Sequence, residues 1–107
     1  MPRTLARIAI AAGALTTALC ASAQDASATL HLKATAATCA NCHGTNGRTV
    51  DGSAIPALAG MPKAYMLMQM QAFRDGSRPA TVMHQITKGL TQQQVEQVSD
   101  YFAAIKR

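Results

Sequence analysis

Aromatic side chains are scarce in this chain of 107 residues: there is no Trp, and two Phe and two Tyr make up 4% of the sequence. The hydrophobic fraction of 49% is therefore mostly Ala, with some Leu and Met. A core of such small side chains buries little area per residue, which makes a self-sufficient apolar interior doubtful and asks for a metal, a disulfide or a cofactor to complete it. Only 14% of residues are charged, which excludes a disordered chain, and the length excludes a large α/β enzyme or several domains. No stretch alternates apolar and polar residues with a β-branched bias, and no internal repeat is present. The sequence therefore predicts an all-α domain with two substantial loops.

The N-terminus reads as a secretory signal over residues 1–23. Arg3 and Arg7 form a basic start, Ile8 to Leu19 is an apolar run, and Ala21-Ser22-Ala23 is a small-x-small cleavage site. The run is too short for a permanent membrane span, and nothing after it is long and apolar enough to be one. A soluble, exported domain of residues 24–107 is expected, with the periplasm as its location. Cys20 suggests a lipid anchor less well, because Leu19 stands where such sites place a small residue. Without the signal, eight Lys and Arg face five Asp and Glu, a balance of +3. The remaining bases are scattered and not interleaved with aromatics, so nucleic-acid binding is not supported.

Residues 25–29 are small and polar and predict a frayed start, and Leu30 to Ala40 favour a first helix running toward Cys39. Gly, Pro, Ser, Thr and Asn between Gly44 and Gly60 predict a long loop, of the kind that is functional or wrapped around something. Pro62 and Gly76 bracket a helix over 63–75, with Tyr65, Met66, Met70 and Phe73 on one face. Val82, Met83 and Ile86 predict a short helical turn closed by Gly89. Thr91-Gln92-Gln93-Gln94 fits a capping box for a last helix whose apolar face is Val95, Val98, Phe102 and Ile105, with Lys106 and Arg107 at its end.

The chemistry lies in Cys39-Ala40-Asn41-Cys42-His43. Two thiols at this spacing can add to the two vinyl groups of one haem, while the adjacent imidazole reaches the iron from the same face. A covalently held porphyrin would also supply the large apolar interior that the side chains lack. Three other readings stand beside this one. A Cys39–Cys42 disulfide would close too small a loop to add much stability, and a thiol redox motif expects a βαβ setting that is missing. Zinc would need two more ligands at matched spacing, yet only His31 and His84 lie outside the motif.

With His43 on one axial position, Met83 is the leading candidate for the other. It lies forty residues later, beyond a helix, in a segment able to fold over the opposite face, and a thioether raises the reduction potential. Met61, Met66, Met68 and Met70 compete, those at 66–70 more as flexible core filler. His84 could replace Met83, or be an exposed neighbour, and His31 reads as a surface residue. Pro56 is a candidate acceptor for Nδ1–H of His43, which would orient the ring; otherwise it only stiffens the loop. Arg78 is favoured over Arg74 as a partner for haem propionates, Arg74 being as well explained by pairing with Asp75.

These residues, together with His43-Gly44-Thr45-Asn46-Gly47, Ile55-Pro56-Ala57-Leu58-Ala59-Gly60, Tyr65, Gln69, Phe73 through Arg78, Leu90 and Tyr101-Phe102, resemble the small bacterial class I cytochromes c. The resemblance is strongest to haem domains of periplasmic dihaem cytochromes and of the cytochrome subunit of flavocytochrome c sulfide dehydrogenase, and it covers nearly all of residues 24–107. It implies three main helices and a short one around a single covalent haem c, with Cys39 and Cys42 as thioether anchors, His43 proximal and Met83 distal. It also implies that Tyr101-Phe102 lies on a C-terminal helix crossing the N-terminal one. The departure is copy number, since those relatives usually carry two such domains and this chain has one motif. The expected function is periplasmic electron transfer, iron cycling between ferric and ferrous states, with no catalysis of its own. Its partners would be redox proteins such as a flavoprotein dehydrogenase or a terminal oxidase, docking near Lys63 and Lys88. The alternative is a haem subunit of an oxidoreductase complex.

Overall fold

The computed structural model describes the backbone of residues 2–107 and the side chains of residues 20–107. The side chains of the expected signal's basic start and apolar run, Arg3 to Leu19, lie outside the described residues. Among the described residues every regular element is helical. Helix α1 is Pro2–His43, α2 Lys63–Asp75, α3 Met83–Lys88 and α4 Gln92–Ala103, with a 3-10 turn at Thr45–Gly47 after α1. Among the described residues no helix is long and apolar enough to cross a membrane. The chain forms two compact units, Met1–His31 and Leu32–Arg107.

The first unit is helical, and its side chains from 20 to 31 are exposed. Residues 25–29, expected to fray, continue the helix instead. No Gly or Pro interrupts residues 14–43, the alanines here favour helix, and Thr29 folds its hydroxyl back onto Asp25 O at 2.9 Å.

In the second unit, α2 has the expected bounds. Pro62 (φ −57°, ψ 132°) precedes it, and Gly76 (φ 84°) ends it in the left-handed region. Helix α2 packs against both α3 and α4. Helix α4 starts on a complete capping box: Gln94 N–H donates to Thr91 Oγ1 at 3.1 Å, and Thr91 N–H donates to Gln94 Oε1 at 2.9 Å. Its buried face is Val95, Val98, Ser99 and Phe102, the spacing that packs one stripe inward.

The core gathers Ala36 of α1, Met66 of α2, and Val98 and Phe102 of α4. It is as thin as the composition suggested. Two expectations are corrected at its edges. Tyr65 is 45% exposed rather than aligned with buried Met66. Helix α4 closes at Ala103, so Ile105 lies in a bend after it and Lys106 and Arg107 follow without regular structure. That tail is tied down by Arg48, whose Nη2 donates to Lys106 O at 2.6 Å.

Candidate functional site

Helix α1 delivers Cys39, Cys42 and His43 from its last two turns. Cys39 is half-buried, Cys42 exposed, and His43 buried at 8% exposure. The helix stops at Gly44, which has φ 79° and lies so close to Arg48 that a Cβ would sit 2.0 Å from its carbonyl oxygen. Only glycine can make that turn. The chain then reverses, and Gly47 O accepts hydrogen bonds from Leu58 N–H at 2.8 Å and Ala59 N–H at 3.0 Å. This closure returns the 48–59 loop to the end of α1. His43 Nδ1 donates to Pro56 O across 2.7 Å. Because a carbonyl only accepts, the proton is fixed on Nδ1, and Nε2 keeps a free lone pair able to bind a metal.

The thiols are free rather than bridged. Burial pushes the Cys39 thiol above its ordinary range, against weaker lowering by a hydrogen bond from Thr38. Cys39 is thus a protonated thiol near neutrality, unlike a redox nucleophile. Among the described residues no three His, Cys, Asp or Glu side chains gather to hold a metal.

Met83 is the first residue of α3 and is half-buried. His84 beside it is also half-buried, with Nδ1 buried and lacking a hydrogen-bond partner. It is not the exposed neighbour expected. Arg78 lies over the Phe73 ring, 4.6 Å from its centroid, and its Nη1 donates to Gln69 Oε1. Arg74 does not pair with Asp75. It reaches across to the end of α3 and the chain just after it, donating to Thr87 O on the helix and to Leu90 O beyond it, while Asp75 accepts from Ser77 N–H at 2.9 Å. These Ser77 hydrogen bonds, the hydroxyl's first, hold the Asp75 carboxyl below its ordinary range. Lys63 pairs with Asp100 at 2.7 Å. The role of Arg74 was invisible to local reading because its partners lie 13 to 18 residues away.

The donor set suits a c-type haem: two thiols one turn apart, a buried imidazole with its metal-binding nitrogen free, and a thioether on a separate short helix. Val50, Ile55, Tyr65, Met68, Val82 and Ile86 are each at least 40% exposed.

The chain is similar to proteins of known kind. The cytochrome c family profile matches residues 32–106. A thiosulfate dehydrogenase electron acceptor of Thiomonas intermedia (strain K12) is 37% identical over 71 residues, covering 66% of this chain and 33% of that protein. A cytochrome subunit of sulfide dehydrogenase from Chlorobaculum tepidum is 35% identical over 69 residues, covering 64% of this chain and 61% of that one. Cytochrome c4 of Acidithiobacillus ferrooxidans superposes with a TM-score of 0.57 at 34% identity, over 63% of this chain and 38% of that structure. The chain thus spans between about a third and three fifths of the length of these three relatives. With the family matched over most of its length and its four helices arranged as in a solved cytochrome c4, the chain belongs to the cytochrome c family of electron-transfer haemoproteins and has the class I fold.

Proposed function

We propose that residues 24–107 form a periplasmic monohaem electron carrier, exported by residues 1–23. The observation that carries this reading is buried His43 with Nδ1–H committed to Pro56 O at 2.7 Å. Cys39 and Cys42 would hold one haem c through thioethers, with His43 Nε2 and Met83 Sδ on the iron. Once bound, haem c supplies a reversible one-electron couple between ferric and ferrous iron. His43 is kept in one tautomer by Pro56, so the ring does not rotate or exchange its proton when the charge at its other nitrogen changes. Arg78, planar and stacked on Phe73, would present its remaining N–H groups to a propionate. One electron taken from a reduced partner passes to an oxidised one, and no substrate bond is made or broken.

A second reading is favoured by the names of the relatives, an electron acceptor for thiosulfate dehydrogenase and a subunit of sulfide dehydrogenase. In that reading the chain is the haem subunit of an oxidoreductase, with a flavoprotein dehydrogenase as one possible partner class. The test is the visible and far-red spectrum of protein expressed with a haem-attachment system, followed by pull-down from its own cells. A c-type spectrum with a sulfur-to-iron band in the far red, lost in Met83→Ala, supports His43/Met83 ligation. A dehydrogenase recovered at fixed ratio supports the subunit reading, and recovery of the cytochrome alone supports the free carrier. A haem spectrum without the far-red band defeats Met83 as ligand.

A further inference from the structure

We infer that Arg74 is the positioning residue that holds Met83 in place, by fastening α3 to α2. The inference rests on the ligand set proposed above. Helix α3 has only six residues and no side-chain cap at its start. A helix of that length does not persist unaided, so whatever anchors it sets where Met83 stands. Its far end is gripped by the half-buried Arg74 guanidinium. Nε and Nη2 donate to Thr87 O at 3.1 and 2.8 Å, and Nη2 also donates to Leu90 O at 2.8 Å.

Carbonyls in the last turn of a helix lack partners within it, and a cation there is favoured by the helix dipole. At Thr87 O, whose backbone partner is Leu90 N–H at a long 3.4 Å, Arg74 adds a charged donor from a neighbouring helix. Its Nη1 also lies 3.3 Å from Gln92 Oε1 at the start of α4, so one side chain joins three helices. Thr87 is fully buried and stands four residues after Met83, on the same face of α3 one turn away. Loosening the grip on Thr87 therefore frees the turn that bears Met83. A lysine could not replace the planar fork, which engages two carbonyls from two directions.

The test is imidazole binding to the ferric, haem-loaded protein, read by loss of the far-red band. Imidazole can bind only when Met83 is off the iron, so its apparent affinity scales with the fraction of molecules in which Met83 has let go. Arg74→Gln should bind imidazole about tenfold more tightly than wild type. Arg48→Gln is the control: it removes a comparable tie, to Lys106 O in the C-terminal tail rather than to α3, and should leave imidazole affinity unchanged while lowering the denaturation midpoint. An unchanged affinity in Arg74→Gln overturns the inference, and so does an equal gain in both variants, which would reflect general loosening. If Arg74→Gln does not load haem, Arg74→Lys decides: about a threefold gain supports the positioning role, and no gain overturns it. A wild-type protein with no far-red band instead removes the Met83 reading itself, and this inference with it.

Discussion

Replacing Gly47 by alanine should be among the most damaging single-methyl changes in this chain, and a second glycine separates its two causes. Gly47 has φ 71°, and a Cβ there would lie 2.8 Å from Phe102 Cδ1, 2.9 Å from Leu58 Cβ and 3.0 Å from Ala59 N. Gly52 has a similar φ of 79° with nothing within 4 Å of its Cβ position. Left-handed backbone costs a residue with a Cβ about 1–2 kcal/mol, and forcing a methyl into a packed site adds about 1–3 kcal/mol. Gly52→Ala should therefore lose about 1–2 kcal/mol, and Gly47→Ala about 2–5 kcal/mol. Urea unfolding of the haem-loaded variants, followed by far-UV circular dichroism, measures both when the slopes match wild type. The effect should also reach the site. Gly47 O holds Leu58 and Ala59, and that closure sets the Pro56 carbonyl against His43. If Gly47→Ala proves no less stable than Gly52→Ala, the close packing of Phe102 on the turn after α1 is not what shapes this loop.

Other perturbations have distinct signatures. Phe102→Ala, at 1% exposure in the middle of the core, should lose about 3–5 kcal/mol in the same assay; a loss below 1 kcal/mol would mean that the α1–α4 packing carries little of the stability. Thr91→Ala removes the acceptor for Gln94 N–H and should lose about 1 kcal/mol, while Thr91→Ser should be close to neutral. The lowered Asp75 pKa means that its ionised form is favoured in the folded state. That stabilisation is present above the ordinary carboxylate pKa and disappears as pH falls through the lowered value. Ser77→Ala should move the Asp75 midpoint upward in a carboxyl NMR titration, and an unmoved midpoint would assign the effect to the backbone N–H alone.

Much of the fold could be read from local chemistry. The Thr91–Gln94 capping box needs only four residues, and Pro62 and Gly76 mark the ends of α2 through their own backbone preferences. The proposed attachment motif is equally local, because the chemistry proposed for it depends on two thiols and an imidazole within five residues. What escaped was set by distance along the chain. Arg74 has a carboxylate beside it in sequence, yet the carbonyls of Thr87 and Leu90, at and just after the end of α3, satisfy the guanidinium fork better than one exposed Asp75 can. Lys63 finds Asp100 only because α2 and α4 pack together. At the N-terminus the small polar residues at 25–29 suggested a break, but alanine propensity on both sides carried the helix through.

The most direct measurement of the central claim is the intact mass of the protein matured with haem-attachment machinery, compared with Cys39→Ser and Cys42→Ser. The account expects one species, residues 24–107 plus a single covalent haem, with attachment weakened in each single variant and abolished in the double one. A mature protein that carries no added haem mass and titrates with both thiols free would contradict it.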